Sequence, residues 1–136
     1  MILDIGHPAY SVADIERSIQ FYAKLGINEA FRLYNDDGSL MLVYLHVAGD
    51  RFIELFPNGS GAGSSAGASY RHLCLLVDDL GLTLQDLRQQ GVDIARGPIL
   101  GRDNNWQAWI SDPDGNPIEL MQISKDSPQY KAAHSS

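Results

Sequence analysis

Cys74 is the single cysteine of this 136-residue chain. An intramolecular disulfide needs two cysteines and a Cys-rich zinc site needs more, so both are excluded. Long apolar runs are missing as well. Nothing approaches the roughly 20 apolar residues of a membrane-spanning helix, and no membrane partner is expected. The opening MILDIGHPAY carries Asp4 and lacks the basic stretch of a secretory signal. Basic residues are few, ten against seventeen acidic, for a formal net charge of −7. A negative field repels phosphate backbones, so nucleic acid is not an expected partner. Six prolines and 13 glycines fit neither a collagen-like nor a disordered chain. With 44% hydrophobic residues, the chain has one domain's worth of length and enough apolar material for a core without staples. A soluble, acidic, cytoplasmic protein is expected.

What is present is a repeat. His7 lies 47 residues before Glu54, and His72 lies 47 residues before Glu119. One offset of 65 residues relates the two pairs, and it aligns more than them. Val12 falls on Val77, Asp14 on Asp79, Gln20 on Gln85, Gly26 on Gly91, Ala30 on Ala95, and Ile53-Glu54-Leu55 on Ile118-Glu119-Leu120. With the histidines this makes nine identities without a gap, where random pairing gives about three.

Both halves read as the same series of elements. In the first, Ile2–Tyr10 is strand-like, Asp14 suits a helix N-cap, and Ile15, Ile19, Tyr22 and Leu25 recur at helical spacing before Gly26. Strands are expected over Glu29–Tyr34, Ser39–Val47 and Arg51–Phe56, with turns at Asn35–Gly38 and Ala48–Asp50. In the second, a strand over Tyr70–Val77 precedes the cap Asp79 and a stripe of Leu80, Leu84 and Leu87 ending at Gly91. Gly81 weakens the start of that helix. Strands over Val92–Arg96, Asn105–Ser111 and Pro117–Ile123 follow, the last two joined by Asp112-Pro113-Asp114-Gly115-Asn116. The expected architecture is α+β: two tandem βαβββ modules, residues 1–57 and 70–124, within one domain. A Gly/Ser-rich linker, residues 58–69, joins them, and a polar tail, residues 125–136, is expected to fray.

Glu54 and Glu119 stand inside Phe52-Ile53-Glu54-Leu55-Phe56 and Pro117-Ile118-Glu119-Leu120-Met121. Strand alternation puts Glu54 on a face with Phe52 and Phe56, and Glu119 on a face with Met121. A carboxylate on a greasy face is costly without a cation or a donor, and neither strand core holds a lysine or arginine. Either glutamate satisfies period-2 alternation equally well facing solvent, but that leaves the recurring His-to-Glu separation unexplained. One divalent ion held by His7, Glu54, His72 and Glu119 compensates both carboxylates at once. Two neutral imidazoles and two carboxylates cancel its charge and leave one or two positions open, as at a catalytic site. The donors suit Ni, Co, Mn, Zn or Fe.

The His of the first strand, followed by Val12-Ala13-Asp14-Ile15-Glu16-Arg17-Ser18 and Phe21-Tyr22, resembles the opening of vicinal oxygen chelate proteins, the glyoxalase/bleomycin resistance/dioxygenase superfamily. Asp112 to Leu120 resembles their closing motif, and the likeness runs from about Ile5 to Ile123. It implies paired βαβββ modules with curved mixed sheets around a metal-binding cleft, usually in a homodimer. The His, Glu, His, Glu pattern is most similar to the glyoxalase I (lactoylglutathione lyase) family. By position, the resemblance makes His7, Glu54, His72 and Glu119 the ligands and Glu119 the base, with Glu54 its partner on the opposite face. The implied substrate is a hemithioacetal of a 2-oxoaldehyde and a thiol such as glutathione, converted through an enediolate to a hydroxyacyl thioester.

The family commonly carries an arginine shortly after the first histidine, where this chain has Ser11. Asn58 matches a glutathione-contacting asparagine and equally suits a turn. Arg102, in the Gly101–Asn104 loop, is a candidate replacement anion clamp. Gln107 and Trp109 are expected to line the cleft, and Phe52, Phe56 and Met121 to form its apolar wall; all of these also suit ordinary packing. Cys74, two residues past His72, shares its face. The same superfamily includes acyl-thioester epimerases, thiol transferases, extradiol dioxygenases and drug-sequestering binding proteins. Of these, the binding proteins have usually lost the ligand set.

Overall fold

The computed structural model describes residues 1–135. The chain divides into two compact units, Met1–Gly63 and the remainder from Ser64, with the division inside the Gly/Ser-rich segment. In the first unit, strand β1 (Ala9–Ser11) leads to helix α1 (Ile15–Lys24) and then to β2 (Asn28–Tyr34), β3 (Leu40–Ala48) and β4 (Arg51–Phe56). Their sheet has the order β1-β4-β3-β2, with β1 parallel to β4 and the other pairings antiparallel. In the second unit, β5 (Leu73–Leu76), α2 (Leu80–Gln89), β6 (Arg96–Leu100), β7 (Trp106–Ser111) and β8 (Pro117–Gln122) repeat the plan in the order β5-β8-β7-β6. The protein is thus α+β, with two mixed sheets built from βαβββ modules.

The offset read from the sequence governs register as well as residue type. Ala9 pairs with Glu54 and Cys74 with Glu119. Across the other edge, Tyr44 pairs with Glu54 and Trp109 with Glu119. The helices start at equivalent caps: the Asp14 side chain accepts from Arg17 N and the Asp79 side chain from Leu82 N. Thr83 Oγ1 donates to Asp79 O, and Leu80 N donates to Gln122 Oε1, so α2 is anchored despite Gly81. Each core lies on one face of a sheet. Val43, Leu45, Ile53 and Leu55 are buried in the first unit with Val12 and Tyr22. In the second, Leu80, Leu84 and Leu87 of α2 are buried with Ala108, Ile110, Ile118 and Leu120. Each such aliphatic side chain contributes about 1.5–3 kcal/mol through burial.

Four expectations are corrected. The leading strand is shorter than Ile2–Tyr10, although Gly6 O and Pro8 O already accept from Phe52 N and Glu54 N at 3.0 Å. Similarly, Tyr70–Val77 shrinks to the four residues of β5. The strand expected over Val92–Arg96 lies further on, at Arg96–Leu100, because Val92 N closes the end of α2 by donating to Leu87 O. Pro98, which has no N–H, is tolerated there because β6 is an edge strand. The tail does not fray over its described part: Pro128–His134 forms helix α3, with buried Ser127 accepting from Tyr130 N and Asn105 Nδ2 donating to Gln129 Oε1. The Ser-Pro start of that helix is a cap with proline at the first turn, a signal independent of any apolar stripe.

Two substitutions test this packing. Ser18 of α1 is 1% exposed, and its Oγ has no hydrogen-bond partner. Ser18→Ala removes a buried unsatisfied hydroxyl and improves helix propensity, so thermal unfolding should show a gain of up to about 1 kcal/mol. Gly59 N donates to Val12 O at 2.8 Å, and a Cβ at Gly59 would press on Ser11 O and lie 2.7 Å from Val12 N. Gly59→Ala should lower stability by about 1–3 kcal/mol in the same melt.

Candidate functional site

The parallel pairing of first and last strands sets each histidine against its glutamate. In the first unit His7 Nε2 is 3.1 Å from Glu54 Oε2, and in the second His72 Nε2 is 3.1 Å from Glu119 Oε1. Glu54 and Glu119 are 8% and 7% exposed, whereas both histidines are open to solvent. The flanking residues Ile53, Leu55, Ile118 and Leu120 point into the cores, so the glutamates face the opposite side of each sheet.

Aromatic rings frame each pair. Tyr44 meets His7 edge-on, with centroids 5.4 Å apart at 77°, and Trp109 meets His72 at 4.7 Å and 85°. Phe31 stacks on Tyr44 at 4.5 Å, and at the equivalent place the guanidinium of Arg96 lies 5.8 Å from the centre of the Trp109 ring. Interaction with the Glu54 carboxylate, then desolvation, pushes the pKa of the Tyr44 hydroxyl upward. Cys74 is exposed as a residue, yet partial burial of its thiol, then the charge of Glu119, push its pKa up to about 12.

The remaining expected site residues fall into two groups. Gln107 and Trp109 are joined by a hydrogen bond from Trp109 Nε1 to Gln107 Oε1 at 3.0 Å, and their strand partners are Met121 and Glu119. Phe52 is edge-on to Tyr44 at 5.7 Å, Phe56 is half-buried at the end of β4, and Met121 is buried two residues after Glu119. Asn58 and Arg102 stand apart. Asn58 is exposed in a left-handed turn conformation, φ 69°, and Arg102 is exposed in the loop between β6 and β7. Sequence reasoning missed Tyr44 and Arg96. Adding the offset of 65 takes Tyr44 to Trp109, so the repeat already held the first of them.

Among the described residues, no three His, Cys, Asp or Glu side chains come together to hold a metal ion. Each unit presents one pair. The pair geometry nevertheless suits a shared ion: ligands about 2.1 Å from a metal and about 90° apart are themselves about 3 Å apart. The donor set, one imidazole and one carboxylate per unit on a largely apolar face, suits borderline divalent metals.

A fold of two βαβββ modules defines a known class. The sequence model of the Glyoxalase/Bleomycin resistance protein/Dioxygenase superfamily matches residues 4–120, and the chain belongs to that superfamily. The lactoylglutathione lyase of Escherichia coli O157:H7 is 31% identical over 122 residues, which cover 85% of this chain and 90% of that one. The solved trypanothione-dependent glyoxalase I of Leishmania major shares the fold, with TM-score 0.74, 24% identity, and coverage of 97% of this chain and 95% of that one. TnmS3, an antibiotic-binding protein from Streptomyces sp. CB03234, is also similar, with TM-score 0.70, 26% identity, and coverage of 90% and 98%.

The rings and the pairs generate a prediction of their own. Trp109→Ala removes the edge against His72 and the surface beneath Arg96. Loss of the Trp109 packing should cost about 3 kcal/mol or somewhat less at this half-buried position, read by chemical unfolding.

Proposed function

We propose that the protein is a metal-dependent lyase/isomerase of the glyoxalase I type. On this reading it converts the hemithioacetal of a 2-oxoaldehyde and a thiol, such as methylglyoxal–glutathione, to a hydroxyacyl thioester. The observation that carries the reading is the pair of equivalent His Nε2–Glu Oε separations, both 3.1 Å, on two carboxylates that have no lysine or arginine in their strand cores. His7, Glu54, His72 and Glu119 would hold one divalent ion, Ni, Co, Mn, Zn or Fe. When bound, it supplies Lewis acidity toward two vicinal oxygens. The reaction is an isomerisation, so no further reactant is consumed.

The chain's own residues do the rest. Glu119 takes the proton from the carbon that bears sulfur and returns it to the neighbouring carbon, acting first as base and then as acid. Met121 and the Trp109 ring provide the apolar surface beside Glu119 that limits water. Gln107, fixed by Trp109 Nε1, keeps its amide N–H groups to orient the substrate. A thiol such as glutathione brings carboxylates, and Ser11 cannot pair with them. Arg96, held over Trp109, brings a guanidinium to the ring that borders the His72–Glu119 pair, while Arg102 and Asn58 offer further polar contacts from loops. We place the protein in the cytoplasm and read it as a homodimer, as the resemblance implies.

The antibiotic-binding relative supports a second reading, a drug-sequestering protein, since the same fold serves both uses. Retention of both His–Glu pairs favours the enzyme. The test is isomerase turnover of the methylglyoxal–glutathione hemithioacetal by protein stripped of metal and reloaded separately with Ni, Co, Mn, Zn and Fe. Metal-dependent turnover is expected, reduced about 10²–10⁴-fold in Glu119→Gln. Metal uptake without turnover would move the assignment to another vicinal-oxygen substrate, and absence of uptake would favour the binding protein. With turnover in hand, Arg96→Gln should raise KM about tenfold with little change in kcat, the loss of one charge-assisted contact. Arg102→Ala should raise KM less, because its loop position is exposed to water. Equal KM values for wild type and Arg96→Gln would remove Arg96 from the substrate site.

A further inference from the structure

Gly101 opens the loop between β6 and β7, and nothing in its backbone asks for glycine. Its φ lies outside the left-handed region, unlike that of Gly97 at 105°, so other residues can adopt the same conformation. The constraint is space. A Cβ at Gly101 would stand 2.6 Å from Gln107 Nε2 and 2.7 Å from Asp103 Oδ1, well inside van der Waals contact. The amide end of Gln107 therefore occupies room that a side chain at position 101 would claim.

The loop itself is braced. Gly101 N donates to Asn105 O at 2.9 Å and Asn104 N to Gly101 O at 3.0 Å, which closes the turn. Asn105 is 1% exposed and ties that turn to two other segments. Its N and Nδ2 donate to the Asp103 carboxylate, its Oδ1 accepts from Ser124 N at 2.8 Å, and its Nδ2 also donates to Gln129 Oε1 of α3. Gln107, by contrast, reaches the loop with the end of a flexible side chain. The other pole of its amide is committed. Gln107 Oε1 accepts from Trp109 Nε1 at 3.0 Å, and the Trp109 ring meets His72 edge-on at 4.7 Å.

We propose that Gly101 is a positioning residue: bare of a side chain on a loop locked by Asn105, it leaves the berth in which the Gln107 amide sits, and so sets how Gln107 holds the Trp109 ring beside His72. Overpacking this berth moves what can move, and that is the amide rather than the braced loop. The carbonyl and the NH2 belong to one planar group, so displacing Nε2 also carries Oε1 away from the indole N–H. The ring then loses the bond that fixes its edge toward His72, and a substrate meets a Gln107 turned elsewhere. The consequence for substrate rests on the metal-dependent reading above. The consequence for Trp109 does not.

The test compares Gly101→Ala, Gln107→Ala and the double variant in the full-length protein. Solvent exchange of the Trp109 indole N–H is followed by NMR, that signal being the indole resonance that Trp106→Phe leaves in place. Each single variant should speed the exchange about 2–10-fold, the loss of one hydrogen bond. KM for the methylglyoxal–glutathione hemithioacetal should rise by a similar factor in both, with a smaller change in kcat. The double variant should match Gln107→Ala in both readouts, because the berth is then empty and the added methyl displaces no amide. If Gly101→Ala melts early, the double variant should melt later than it does, since the clash with the amide is gone. Wild-type exchange and KM in Gly101→Ala, or effects that simply add in the double variant, would overturn the positioning role. Wild-type protein without turnover, in which Gly101→Ala still speeds the Trp109 exchange, would overturn the metal-dependent reading and leave the positioning role standing.

Discussion

The pairing on which the site depends is the parallel one between the first and last strands of each module. β4 and β8 lie second from the edge, with a neighbour on either side. A carboxylate in such a strand is shielded by both neighbours, which is why Glu54 and Glu119 are less than a tenth exposed although neither points into a core. The residue two places ahead of the parallel partner is then a histidine, and the residue across the antiparallel ladder is an aromatic ring. All three positions follow from one register, fixed by the ladder in which Glu54 N donates to Pro8 O and Val12 N to Phe56 O.

That arrangement creates an electrostatic demand. A shielded carboxylate costs several kcal/mol unless something compensates it. Arg32 and Arg51 are engaged elsewhere, with Glu16 and Glu29 and with Asp4. The imidazoles therefore face the two carboxylates, and an imidazole at 3.1 Å is a sound partner for a carboxylate and a sound co-ligand for a cation. A purely structural role would be met as well by an amide or an arginine. His and Glu together, twice, have chemistry in common with a metal site.

Much of this was legible in the sequence because it depends on spacing. The offset of 65 identified both pairs, both helix caps and the glycines that end the helices, since Asp14, Asp79, Gly26 and Gly91 are required by local backbone geometry. What was misread depends on competition between neighbours. Val92 is β-branched and reads as strand, but its N–H closes α2. Pro128–His134 has no apolar stripe, so periodicity passes over a helix that is held by Ser127 and Asn105. Tyr44 was overlooked because it lies in the apolar run Leu40–Val47, where a tyrosine looks like any core aromatic until cross-strand register sets it opposite Glu54.

The departures from the repeat are as informative as the identities. At the offset of 65, Ala9 becomes Cys74, Phe31 becomes Arg96 and Tyr44 becomes Trp109. Each exchange lies around a His–Glu pair, and none alters the pair distance. The first unit surrounds its pair with Phe31, Tyr44 and Phe52, an aromatic cluster whose one polar group is the Tyr44 phenol. The second surrounds its pair with Trp109, Gln107 and Arg96, which keep a guanidinium and an amide for something else. A duplicated module with two equivalent carboxylates can assign both the same task or divide the work. Equal His–Glu pairs therefore stand in unequal surroundings, aromatic around the first and polar around the second.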